Sequence, residues 1–149
     1  MHMNLLYDAK IVVVEAAAAA GQTALTTDIV DTQGFDSIAF LALLGDVSDT
    51  SVLTLTAKTN SADHLTVPTP ITLADTATFT AGASDADSKI LMLDLHMPRD
   101  RYVWAVLTRT TADAIVGGII AILYNAHGRP VTQDATVIAS AFANDPASA

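Results

Sequence analysis

Between Lys89 and Gln133 the chain reads KILMLDLHMPRDRYVWAVLTRTTADAIVGGIIAILYNAHGRPVTQ, three apolar segments parted by Pro98-Arg99-Asp100 and Thr110-Thr111-Ala112-Asp113. Apolar runs of strand length between short polar breaks read as consecutive antiparallel strands. In Ile90 to Met97 the Leu91, Leu93, Leu95, Met97 set opposes Ile90, Met92, Asp94, His96. In Tyr102 to Arg109 the Tyr102, Trp104, Val106 set opposes Val103, Ala105, Leu107, Arg109. If these two strands are neighbours, Asp94 and Arg109 face each other as a cross-strand ion pair. Ile115 to Tyr124 is apolar on both faces and carries Gly117-Gly118, which suits a bulge, a bend or a close backbone approach.

The same grammar extends upstream. Lys10 to Glu15 (KIVVVE) is a β-branched run closed by charge at both ends, and predicts a first strand. The Ala16 to Ala20 run is too short to nucleate a helix unaided, so an extended connector is expected there, with a single helical turn as the competitor. Ser37 to Leu44 is a continuous apolar run, as in a strand buried on both faces or facing a subunit interface. Val52 to Lys58 alternates, placing Leu53, Leu55 and Ala57 on one face. From Asn60 to Asp87 the pattern weakens, with short candidates at Ile71 to Leu73 and Thr76 to Phe79, and Pro68 and Pro70 mark an edge or loop. Val131 to Ser140 offers one last short strand.

Seven to nine strands without a convincing helix predict an all-β fold, a single-domain antiparallel β-sandwich or jelly roll, with a β-barrel as the alternative. The expected division is an N-terminal arm over residues 1–8, the sandwich over 9–140 and a C-terminal tail over 141–149. Its expected core contains Phe40, Leu53, Leu55, Leu93, Trp104, Val106, Ile120 and Ile122. At 149 residues one domain suffices, and a chain this long buries roughly two-thirds of its unfolded surface.

Composition removes whole classes of chemistry. With no Cys there is no disulfide framework, thiol nucleophile or Cys-ligated zinc. Seven Lys and Arg against 16 Asp and Glu leave a net charge of −9, which repels phosphate backbones, so no nucleic-acid partner is expected. His2, His64, His96 and His127 show no metal-ligand spacing. Neither a nucleophile elbow nor a phosphate loop is present, and no pair of carboxylates stands out, so neither a catalytic residue nor a cofactor is expected. Ala114 to Leu123, the most apolar run, is half the length of a membrane-spanning helix, and MHMNLLYDAK has no signal-peptide pattern. The reading is a soluble, acidic protein made in the cytoplasm, with no membrane partner.

Arg99, Arg101, Arg109 and Arg129 place four of the seven cations in one half of the chain. Either they pair internally with Asp94, Asp100 or Asp113, or they form a contact surface for an acidic partner or a symmetry mate.

Two blocks carry a family resemblance. One is Val30-Asp31-Thr32-Gln33-Gly34-Phe35-Asp36-Ser37, leading into an apolar strand and Gly45-Asp46-Val47. The other lies in Lys89 to Gln133: Arg99-Asp100-Arg101-Tyr102-Val103, Thr108-Arg109-Thr110-Thr111-Ala112-Asp113-Ala114, and the close from Tyr124 to Pro130-Val131. In these the chain resembles the head decoration, or cement, proteins of tailed bacteriophages and prophages. It departs from them after Tyr124, where Asn125-Ala126-His127-Gly128-Arg129 is less basic. The resemblance implies a structural virion protein on the outer capsid surface, made in the bacterial cytoplasm. Such a protein stabilises the head by bridging subunits of the major capsid protein, and self-associates, with a trimer favoured. The capsid or subunit contacts it implies are the arm and tail residues Leu5, Leu6, Tyr7 and Phe142, with Arg99, Arg101 and Arg129. The alternative is a glycan- or host-binding module on a head fibre or tail, its site in the Asn60 to Asp87 loop.

Overall fold

The computed structural model describes residues 4–143, and the arm and tail residues beyond them lie outside it. Eleven strands follow one helical turn, α1 (Leu5–Asp8), within those residues. They are β1 (Lys10–Glu15), β2 (Ala18–Gly21), β3 (Leu25–Thr26), β4 (Val30–Asp31), β5 (Phe35–Val47), β6 (Val52–Asn60), β7 (Ile71–Thr72), β8 (Ala77–Thr80), β9 (Ile90–His96), β10 (Tyr102–Thr110) and β11 (Ala114–Ala126). The fold is a β-sandwich of jelly-roll type with every strand pair antiparallel. In sheet A the order is β1-β11-β5-β9, with β2 also on β11. In sheet B it is β3-β10-β6-β7, with β4 also on β10 and β8 on β6.

The strands expected from β-branched runs and alternation are present, and the Ala run is extended, as expected, forming β2. Two corrections concern connectivity. β9, β10 and β11 follow one another in sequence but alternate between sheets A, B and A, so they are not spatial neighbours. The polar breaks between them carry the chain from one sheet across to the other. Asp94 and Arg109 therefore never meet: Asp94 accepts a hydrogen bond from the Tyr124 hydroxyl, and Arg109 turns into the protein. Second, Val131 to Ser140 forms no strand. It runs beside β1 and is held by side chains instead, for the Gln133 amide oxygen accepts from Ile11 N–H at 2.9 Å and the Thr136 hydroxyl accepts from Val13 N–H at 3.0 Å. The free edge of β1 is thereby covered by a tail that supplies acceptors without backbone pairing.

The core lies between the sheets. Ile38, Phe40, Ala42 and Leu44 of β5, Ile119, Ala121 and Leu123 of β11, Leu53 and Leu55 of β6, and Val103, Ala105 and Leu107 of β10 all belong to it. Phe40, Leu53 and Leu55 are fully buried as expected, and Leu93 packs against the cluster from β9. Four expected core residues lie on the other faces of their strands. Ile120 and Ile122 alternate with the inward Ile119, Ala121 and Leu123, and Val106 with Ala105 and Leu107, so all three are only half-buried. Trp104 shares the outer side of β10 with Val106, apart from the main cluster, yet is just 2% exposed. Where both faces of a strand are apolar, alternation identifies two sets and cannot say which one is inward.

Gly117 and Gly118 do different things. Gly118 has φ of +138°, and a Cβ there would stand 3.2 Å from the Glu15 carbonyl oxygen, so a side chain is excluded by both conformation and space. It sits where the pairing of β11 with β5 shifts register. Gly117 has ordinary backbone geometry, and its Cβ would make normal contact with Leu43.

Candidate contact surface

Stretches of the two sequence blocks that carry the resemblance come together at one end of the sandwich, whereas residues 45–47 and 108–114 of the same blocks meet at the other, where Val47 pairs with Ala114. Residues 32–36, which lead from β4 into β5, and residues 97–101, which join β9 to β10, line an open cleft of about 460 Å³ with His127. Backbone bonds fix its walls. Arg101 C=O accepts from both the N–H and the hydroxyl of Thr32, Asp36 C=O accepts from Met97 N–H, and Gly34 C=O accepts from His127 N–H.

The charges of this cleft are mostly engaged within it. Arg101 donates from Nε and Nη2 to the two Asp31 carboxylate oxygens, both at 2.7 Å, and its guanidinium lies 5.2 Å from the Tyr102 ring centre. Those two bonds are the main reason that the Asp31 pKa lies below the ordinary 3.8 and the Arg101 pKa above its ordinary value; burial opposes both shifts. His127 Nε2 stands 2.6 Å from an Asp36 carboxylate oxygen, and the Thr59 hydroxyl donates to Asp100. Arg99 differs. It is exposed on the rim and makes no ion pair among the described residues.

Residues 127–129 lead from this cleft to the arm and tail. Arg129 Nε lies 2.9 Å from the Asp8 carboxylate at the end of α1. The helical turn is closed reciprocally: the Asn4 side chain accepts from Tyr7 N–H, and the Asp8 carboxylate from Asn4 N–H. Gln133 then ties arm to tail by donating to the Leu6 and Ala9 carbonyls at 2.8 and 2.6 Å. The Tyr7 and Phe142 rings meet with centres 5.8 Å apart. Leu5, Leu6, Ile11, Val137 and Phe142 line an apolar hollow of about 310 Å³. All seven residues named as contacts thus lie on one continuous end of the molecule. Arg101 and Arg129 are committed to internal pairs, whereas Leu5, Tyr7, Arg99 and Phe142 remain exposed.

The Asn60 to Asp87 segment is pinned by a residue that alternation does not single out. The Asn60 side-chain amide is buried and donates to the His64 and Pro68 carbonyls at 2.7 and 2.9 Å. Arg109 was also missed as a structural residue. It is 3% exposed, and its Nε donates to Thr23 C=O while Nη1 donates to Ala19 C=O and Ala114 C=O. The available signal was its position in the inward set of β10 with Val103, Ala105 and Leu107.

Among the described residues no three His, Asp or Glu side chains stand together as a metal site, and no helix is long and apolar enough to cross a membrane. No family model matches the chain, and no curated protein matches it. Among solved structures it is similar to Eiger TNF from S. frugiperda, at 10% sequence identity and a TM-score of 0.37, covering 81% of this chain and 99% of that one.

Proposed function

We propose that this chain is a structural virion protein that decorates the outside of a tailed-phage capsid and stabilises it by bridging major-capsid subunits, as a self-associated, trimeric unit. The observation that carries this reading is that stretches of both blocks of the decoration-protein resemblance, residues 32–36 and 99–101 with His127, meet in one end cleft, continuous with the arm and tail. That end offers a partner the Arg99 guanidinium, the exposed apolar residues Leu5, Tyr7 and Phe142, and little else that is charged and unengaged. A guanidinium beside apolar and aromatic side chains suits a protein interface in which Arg meets a carboxylate. Weak contacts repeated over many copies then stabilise a shell by mass action and avidity, without covalent chemistry.

Co-sedimentation of the purified protein with undecorated heads tests the proposal. Saturable binding is expected, with Arg99→Glu weakening it at least tenfold and Lys58→Glu, on the outer face of sheet B, leaving it within twofold. No binding of the wild-type protein to heads refutes the reading.

A further inference from the structure

Residues 61–70 join β6 to β7 as a loop with an apolar tip open to solvent, Leu65 being 45% and Val67 65% exposed. Two side chains shape this loop. At its base the buried Asn60 amide donates to the His64 and Pro68 carbonyls, and its oxygen accepts from Ala62 N–H at 3.4 Å. At its tip the His64 ring turns back over its own chain, where Nδ1 accepts from the backbone N–H of Thr66 and of Val67, both at 3.1 Å. The Thr66 hydroxyl stands 3.3 Å from the same ring nitrogen. The arrangement is the histidine counterpart of an Asx turn, in which a side-chain acceptor holds the chain a few residues on. It also fixes the state of the ring. A peptide N–H donates and never accepts, so two of them aimed at Nδ1 require a bare lone pair there, with the one ring proton on Nε2. An imidazolium carries hydrogen on both nitrogens and has no acceptor to offer.

We infer that His64 is an acid-released latch: it holds the apolar tip at 65–67 while its ring is neutral and frees it when the ring takes up a proton. Protonation puts a third N–H against the two that Nδ1 receives, so these bonds are lost outright rather than weakened. Asn60 limits what is released. Its amide does not titrate, and its bonds to the His64 and Pro68 carbonyls keep the base of the loop in place. Acid therefore changes how Leu65 and Val67 are presented and leaves the sandwich intact. No ion pair holds the ring in either state, for His64 makes none among the described residues. The charged or titratable groups on the elements around it are Asp63 on the loop itself, Lys58 of β6, Asp75 beyond β7, and Arg99, Asp100, Arg101 and Tyr102 where β10 begins. Of these, Arg101 is paired with Asp31 and Asp100 accepts from Thr59. The latch stands at the same end of the sandwich as the cleft, since Asn60 pairs with Tyr102, but it does not depend on the capsid reading.

Amide–water exchange at Thr66 and Val67, followed by NMR at about pH 8 and about pH 5, tests the latch, because an imidazole changes its charge across that range. Each rate is divided by the intrinsic rate of an unprotected amide at the same pH. His64→Asn is the decisive comparison: its side-chain oxygen takes the place of Nδ1 as the acceptor and does not titrate. At about pH 8 the two proteins are expected to protect both amides equally, within about twofold, and at about pH 5 the wild type is expected to exchange about fivefold faster or more. His64→Ala, which has no acceptor, is expected to exchange at the faster rate at both pH values, while the amides of β6 and β10 keep their protection in all three proteins. Wild type and His64→Asn exchanging alike at about pH 5 overturns the inference. So does His64→Ala protecting the two amides as well as wild type at about pH 8.

Discussion

Arg109 allows the sharpest quantitative test. Replacing it with Met keeps much of the side-chain volume and removes every donor. Three carbonyls lose partners at 2.9, 2.8 and 2.7 Å, those of Thr23, Ala19 and Ala114. The bond to Ala114 is buried, so that oxygen bears the cost of an unsatisfied buried acceptor, about 1–3 kcal/mol. The bonds to Thr23 and Ala19 are partly buried, and with water able to reach those oxygens each loss is about 0.5–1 kcal/mol. Relief from burying a guanidinium offsets part of this, leaving a net loss of about 2–4 kcal/mol. Because β2 belongs to sheet A and β10 to sheet B, the lost bonds also untie one end of the sandwich. For a chain of this size the melting temperature should fall by about 5–15 °C. Arg109→Lys keeps the charge and part of the bonding and should fall between wild type and Met. The assay is urea unfolding followed by Trp104 fluorescence, with the m-value unchanged so that the midpoint shift reports stability alone. An Arg109→Met variant within about 0.5 kcal/mol of wild type would show that the three bonds contribute nothing net, and would refute the reasoning.

Other expectations follow from the same geometry. Gly118→Ala should cost about 1–3 kcal/mol in urea unfolding, because the left-handed φ and the Glu15 carbonyl both oppose a Cβ, while Gly117→Ala should stay within about 1 kcal/mol; equal effects at the two positions contradict the structure. Gln133→Ala should raise hydrogen exchange at Ile11 N–H by about fivefold, since a lost bond of about 1 kcal/mol changes the opening equilibrium by that factor; unchanged protection argues against the tail as a cover for β1. The folded-state pKa of Asp31 is lowered, so its pairing with Arg101 stabilises the fold fully above the unfolded value near 3.8 and is lost as pH falls through the folded value. The stability gap between wild type and Asp31→Asn should therefore be small at pH 7, because both partners are nearly half exposed. It should close further below pH 3.8, and a gap that widens in acid has the wrong sign.

The strand content of this protein is written locally. Lys10–Glu15, Val52–Asn60 and Ile90–His96 are β-branched or alternating runs closed by turn residues, and such runs adopt extended structure in almost any antiparallel context. The turn chemistry, the absence of Cys and the net charge were equally plain, and they bounded the chemistry available. The two resemblance blocks were legible too, but that stretches of each meet in one cleft was not. Nor did alternation reveal that β9, β10 and β11 divide between two sheets, because a short polar break serves a hairpin or a crossing equally well. The inward face of β11 was hidden for a related reason: Ile120 and Ile119 have the same side chain, and only register against β5 and β1 sends one to the core and the other to the outer face. Arg109 looked like a surface cation until Ala19, Thr23 and Ala114, far apart along the chain or across a turn, turned their carbonyls toward it. Local sequence determined which segments extend and where they turn, since those preferences act over a few residues. Partner, sheet and inward face were decided by tertiary structure, where burial is a property of two surfaces brought together.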